Sequence, residues 1–190
     1  MALEEGDVIA MGVMPDPVQW RTFPEDRVVV SEEGLLATQT ANEEWSLTHT
    51  GEELTEGRHY WEVEIVDRKN DSLFLGVCRP DADPRADHGW AKSTTAWLMG
   101  AAYGDLYGNG KQGGDGAGGF NNGDRMGILL DLDDGSLRFF KNGVEHGPGY
   151  PAGSVTGPVA LGAQMRYTGH AARLLPDAAW PAGHTQCANW

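Results

Sequence analysis

In the stretch Tyr60–Ile65, Tyr-Trp-Glu-Val-Glu-Ile, apolar and polar side chains alternate, so Trp61, Val63 and Ile65 share one face and Tyr60, Glu62 and Glu64 the other. The same alternation returns in Met126, Ile128, Leu130 and Leu132, and again in Leu137 and Phe139. No stretch of useful length carries apolar residues at a helical period. A chain patterned this way folds from strands, each with one face to bury. Further apolar runs at 27–30, 44–47, 73–78, 95–99, 159–165 and 171–175 are separated by Gly- and Pro-rich links. Many short strands with almost no helix predict an all-β sandwich or barrel. At 190 residues one such domain is expected.

Two turn-like segments test this reading. Asp133-Asp134-Gly135 links two alternating runs and predicts a hairpin over 125–141. Read as a calcium loop from Asp131, the segment places glycine one position early and Asn142 where a glutamate is required, so the turn is preferred. Gly108-Asn-Gly-Lys-Gln-Gly113 has the spacing of a dinucleotide phosphate loop, but Gly-Asp-Gly-Ala-Gly-Gly follows it. Each glycine costs roughly 1 kcal/mol against alanine in a helix, so no helix N-terminus forms to hold a phosphate. The segment is read as a long flexible surface loop. Residues 1–20 are weakly patterned and read as an N-terminal extension, 21–176 as the domain, and 177–190 as a tail whose Trp180 and Trp190 are able to fold back onto the body.

Charge narrows the partner. The formal net charge is −14, and the 14 Lys and Arg are scattered, only Arg68 and Lys69 being adjacent, which argues against nucleic acid and anionic membranes. A neutral or basic partner is favoured, its approach quickened by the long-range field and slowed by salt. The two cysteines stand far apart, with Cys78 inside an apolar run, as for a buried thiol in a reducing compartment. The acidic start and the absence of an 18-residue apolar run predict a soluble, intracellular, cytoplasmic protein. The six histidines lack metal-ligand spacing and no serine sits in a nucleophile elbow, so neither metal nor cofactor is expected.

The order of motifs resembles the SPRY domain: Gly57–Ile65 (GRHYWEVEI), Leu75–Pro80 (LGVCRP), Gly89-Trp90, Ala96–Met99 (AWLM), Gly123–Val144 (GDRMGILLDLDDGSLRFFKNGV) and Gly157–Met165 (GPVALGAQM). The resemblance covers about residues 21–176, and its most specific element is the first motif paired with the fifth, in order. No PRY segment is evident upstream. The resemblance implies a bent antiparallel β-sandwich of concanavalin-like jelly-roll type that recognises proteins through loops at one end. It also implies that Trp61, Gly76, Trp97, Gly127, Leu130, Leu137, Phe139 and Gly143 serve the core or its turns.

By rough alignment with SPRY adaptors that capture short peptides, three segments form the binding rim: 38–44, 79–90 and 165–168. The candidate contacts are Thr40 and Asn42 in the first, Arg79, Asp81, Arg85 and Trp90 in the second, and Met165, Arg166 and Tyr167 in the third. Trp90 is the expected anchor, since aromatic residues dominate hot spots. Met165 stands at an open strand end or, alternatively, is buried by a continued strand. His88 is read as a lone exposed histidine without a role. The expected function is a non-catalytic, monomeric protein-interaction module with a protein or peptide partner. Two alternatives use the same shape: a carbohydrate-binding lectin, with aromatic loops at Trp90 and Tyr103–Tyr107, and a glycoside hydrolase using Glu62 and Glu64.

Overall fold

The computed structural model describes residues 18–89, 93–114 and 116–185. The strands are β1 (Val28–Ser31), β2 (Leu36–Gln39), β3 (Ser46–His49), β4 (Arg58–Asp67), β5 (Phe74–Cys78), β6 (Ala96–Gly100), β7 (Leu106–Gly108), β8 (Lys111–Gln112), β9 (Arg125–Asp131), β10 (Ser136–Lys141), β11 (Val144–Glu145), β12 (Ala160–Met165) and β13 (Ala171–Leu175). A single 3-10 turn, Glu32–Gly34, joins β1 to β2, and the described residues contain no α-helix. Every pairing is antiparallel, in a seven-stranded sheet ordered β1-β2-β13-β4-β9-β10-β11 and a six-stranded sheet ordered β3-β12-β5-β6-β7-β8. The all-β sandwich anticipated from the alternation is the fold observed.

Alternation sets what each sheet contributes to the shared core. From the larger sheet come Trp61, Val63 and Ile65, Met126, Ile128 and Leu130, and Leu137 and Phe139. Facing them are Leu75 and Val77, Trp97 and Met99, and Leu161, Ala163 and Met165 of the smaller sheet. Burying such side chains is worth about 1.5 to 3 kcal/mol each. A close approach that only glycine permits occurs at Gly76, where a Cβ would collide with the Trp97 carbonyl oxygen of the neighbouring strand. Trp97 is fixed further by its indole N–H, which donates to Ser154 O at 2.9 Å. The expected hairpin over 125–141 is present, with Ser136 opposite Asp131 through Lys141 opposite Met126.

The six-stranded sheet is buried on its outer face as well. Leu47, Phe74, Cys78, Ala96, Leu98 and Tyr107 form a second cluster there with Ala82, which lies in the segment that runs outward from β5. Burial pushes the Cys78 thiol up to about 12, the behaviour of a small apolar filler.

The glycine segment departs from its sequence reading. Its first part is the β7–β8 hairpin, turned at Asn109-Gly110 with both residues at positive φ, +46° and +86°. Leu106, Tyr107 and Phe120 are buried, and Phe120 N–H donates to Ala101 O at 3.0 Å, so the segment is seated on the body instead of standing free. The signal was masked because a two-residue strand is too short to show alternation. Residues 1–17 and Trp190 lie outside the described residues, whereas Trp20 is buried in the main core. The described part of the tail folds back: Trp180 lies 5.8 Å from Tyr60 and His184 5.8 Å from Phe140, ring centre to ring centre.

Because Trp61 is buried in the main core, Trp61→Ala is expected to lower stability by about 3 to 5 kcal/mol. Urea unfolding followed by fluorescence measures it, and a loss below about 1 kcal/mol would show that Trp61 is peripheral.

Candidate functional site

β12 ends at Met165, and the chain turns through Arg166–His170 into β13. His170 N–H donates to Tyr167 O at 3.0 Å, and the Arg166 N–H donates to His170 Nδ1 at 3.3 Å, closing the turn on itself. The turn is stitched to the segment after β2. Gly169 N–H donates to Gln39 O at 2.8 Å, the Thr168 hydroxyl to Thr40 O at 3.1 Å, and Glu44 N–H to Arg166 O at 3.2 Å. Gln39, fully buried, donates its side-chain amide to Glu44 O at 2.9 Å and so folds residues 40–44 into a compact bend.

The segment following β5 reaches the same end by crossing the outer face of the six-stranded sheet. Pro84 O accepts from Leu47 N–H at 2.8 Å and Ala86 O from the Gln164 side-chain amide at 2.8 Å. Arg85 then meets Asp26 through two bonds, 2.7 and 3.1 Å, which hold the exposed Asp26 carboxyl below its ordinary range. Next to it, Arg27 pairs with Glu44 at 2.5 Å and donates to Trp45 O at 2.8 Å.

Arg166 is held differently. Its guanidinium lies 5.2 Å from the Trp45 ring centre and 5.4 Å from that of Tyr167, the geometry of a cation over aromatic faces. Its side chain donates no hydrogen bond among the described residues, and its Nε is buried without an acceptor. The result is a half-buried cation oriented by rings, with no carboxylate paired to it among the described residues.

The nine residues singled out in the sequence therefore separate. Thr40, Asn42, Arg85, Arg166 and Tyr167 gather at one end of the sandwich. Arg79 and Asp81 do not belong with them, because Arg79 follows Cys78, which pairs with Ala160 at the opposite end of β12. Five residues of extended strand, about 17 Å, separate Ala160 from Met165. Arg79 instead donates to Thr156 Oγ1 at 2.8 Å and Pro158 O at 3.3 Å, with its guanidinium 5.5 Å from the Trp97 ring centre. Met165 is corrected outright: it continues the inward alternation of Leu161 and Ala163, is fully buried, and cannot line a rim. Trp90 lies outside the described residues.

His88 is also corrected. It is buried, 4% exposed, with its ring nitrogens 2.8 Å from Ser93 Oγ and 2.7 Å from Asp83 O, so it braces the crossing segment from within. Sequence reasoning missed Asp26, Arg27 and Trp45. Trp45 had a signal, an aromatic directly after the segment 38–44; the two charged residues had none, since only the three-dimensional meeting of the loops pairs them.

The hydrolase pair finds different partners. Glu64 is tied to Arg173 at 2.6 Å, and Glu62 accepts from the Tyr60 hydroxyl at 3.0 Å. Glu62 lines two of the described cavities, and Glu64 lines neither. Of the aromatic loop, Tyr107 is buried against Phe74 at 5.3 Å, leaving Tyr103 exposed. The described residues hold no group of three metal-ligating side chains, and no helix among them is long and apolar enough to cross a membrane.

Comparison with known proteins places these observations in a family. The SPRY domain family model matches residues 58–161. Among solved structures, the SPRY domain of human HERC1 is 21% identical, with 87% of this chain and 99% of that chain covered, at a TM-score of 0.69. A human SPRY domain is 19% identical, with coverage of 85% and 99% and a TM-score of 0.60. The TRIM65 PSpry domain is 18% identical, with coverage of 78% and 85% and a TM-score of 0.59.

His170 supplies a pH test of the turn that carries Arg166. Burial lowers it from its ordinary 6.5 to about 4, with Asp67 opposing. Between those values the unfolded chain takes up a proton that the folded chain refuses, so the stabilisation is complete above pH 6.5 and is lost as pH falls towards 4. The urea midpoint is expected to decline across that window, and His170→Asn to flatten the decline. Parallel profiles for the two proteins would show that His170 does not set it.

Proposed function

The chain belongs to the SPRY domain family, and from that premise we propose that it is a non-catalytic module recognising a short peptide or surface loop of a partner protein at the Arg166 end of the sandwich. SPRY domains generally bind proteins or peptides and are generally non-catalytic. The observation that carries the proposal is the Arg166 guanidinium, positioned by Trp45 and Tyr167 and lacking an acceptor of its own. A backbone carbonyl or carboxylate of the partner meets the terminal nitrogens of this half-buried guanidinium, the Nε itself being buried, and Thr40, Asn42 and the Arg85–Asp26 pair form the polar rim around it.

Rigid strands supporting polar bends suit recognition, because little ordering is required when the partner arrives. The partner as a whole is neutral or basic, in keeping with the net charge of −14, while its recognised segment presents oxygen to Arg166. Trp90 remains a candidate contact on its sequence position and Arg79 and Asp81 are left to a separate surface. Glu64 in its ion pair with Arg173 supports a structural part for that carboxylate over a hydrolytic one.

Truncating a true anchor costs at least about 2 kcal/mol of binding. Arg166→Ala is expected to weaken capture of the partner from the source cell by that amount or more with an almost unchanged thermal midpoint. Met165→Ala is expected to do the reverse, lowering the midpoint first. Retained capture by Arg166→Ala in pull-down and interferometry sinks the proposed site.

A further inference from the structure

β13 leaves the seven-stranded sheet before β4 does. Their pairing runs from Asp67 to Glu62 and stops at Leu175, the residue before Pro176. β4 goes on to Arg58, paired with β9 on its other side. The bonds Ile65 N–H to Asp124 O, Gly123 N–H to Ile65 O and Leu132 N–H to Gly57 O turn the backbone groups of the odd-numbered residues towards β9. Alternation turns those of Arg58 and Tyr60 the opposite way, where no described strand pairs with them.

A cavity of 240 Å³ occupies that gap, bounded by Glu52, Glu62, Tyr60, Trp61, Pro176 and Trp180. At about 30 Å³ per water it has room for a long side chain but not a folded element. Its charge is negative. Glu52 accepts from the Thr50 hydroxyl at 2.5 Å and Glu62 from the Tyr60 hydroxyl at 3.0 Å, and neither carboxylate has an ion-pair partner among the described residues. Arg58 also borders the cavity but is matched by Asp131 at 3.0 Å and turned to His184 Nδ1 and Thr185 O. Arg125, across the adjoining cavity, makes no ion pair with Glu62.

We propose that this truncated edge of β4 is a second docking site, for an extended segment of a partner protein carrying a lysine or arginine. The segment adds backbone hydrogen bonds at Arg58 and Tyr60, as a further strand would, and its cation enters the cavity to meet Glu52 and Glu62 against the aromatic walls. Carboxylates without a countercharge beside aromatic faces select a cationic side chain over a neutral one. The site is independent of the Arg166 end and stands whether or not that end binds.

The test uses the full chain, ¹⁵N-labelled, titrated with acetyl-Thr-Arg-Thr-amide. The expected result is progressive shifts of the Arg58 and Tyr60 amides and the Trp180 indole. Acetyl-Thr-Gln-Thr-amide is expected to bind at least about tenfold more weakly, and so is the arginine peptide to Glu62→Gln, the loss of one charge-assisted contact. The glutamine carbonyl still accepts from Tyr60, so folding is kept, and Glu52→Gln offers the same reading at the other carboxylate. The proposal is overturned by any of four results: no shifts, equal binding of the neutral peptide, shifts confined to the Arg166–Thr168 turn, or shifts produced by cellotriose and not by the arginine peptide.

Discussion

The outer face of the six-stranded sheet is apolar, and that one fact arranges the rest. Leu47, Phe74, Leu98 and Tyr107 project from it, and left bare they would form a sticky surface of the kind soluble monomers rarely keep. The segment between β5 and β6 therefore lies across them, placing Ala82 in the cluster and Gly89 so near the Phe74 ring that a Cβ there would fall 2.7 Å from it. His88, bonded at both nitrogens, locks the crossing in place. One consequence is geometric: the segment leaves at Cys78 and rejoins at Ala96, which pair side by side, so that its two ends share one end of the sandwich while its middle, at Ala86 beside Gln164, reaches the other. Arg79 and Arg85 are six positions apart in sequence yet serve different surfaces.

This explains which parts of the molecule were legible in the sequence. Strands that bury one face announce themselves, and β4, β9, β10, β12 and β13 lie where the alternation puts them. Strands of two or three residues do not, since two residues carry no period; β7, β8 and β11 emerge only through their pairing, and of the four-residue strands β1 and β3 overlap the runs at 27–30 and 44–47 while β2 was not read. The resemblance carried the family and the rim segments, but not their division. A segment read as one polar loop was split by the need to cover Phe74, and Met165 was drawn inward by the alternation visible in Leu161 and Ala163. His88 shows the same limit from the other side: a polar residue in a polar stretch looks exposed until its two acceptors and donors are placed around it.

Electrostatics sharpens the contrast between the two ends. The chain has 28 acidic and 14 basic side chains, so every cation has a surplus of anions to choose from. Most take one: Arg27 with Glu44, Arg85 with Asp26, Arg58 with Asp131, Lys141 with Asp124, and Arg173 with both Glu32 and Glu64. Exposed pairs of this kind contribute little to stability, about 0 to 1 kcal/mol each, but they fix where charge is spent. A guanidinium that finds rings instead of a carboxylate, in a chain with twice as many acids as bases, is held out of that pairing by its surroundings.

The surplus has to appear elsewhere, and Glu52 and Glu62 are part of it. Both are bonded to hydroxyls, which orient a carboxylate without cancelling its charge. They flank the place where β13 stops before Pro176 and leaves β4 with unmatched backbone groups. Sheets normally close such gaps with another strand or a charged side chain laid along the edge. Here Trp180 roofs the gap through its contact with Tyr60 and leaves space beneath, so hydrogen-bonding capacity, negative charge and aromatic surface meet in one cavity. At the Arg166 end a cation lacks an oxygen, and at the β4 edge two carboxylates lack a cation; the same sandwich thus offers opposite charges to its surroundings at sites the β-sheet frame keeps apart.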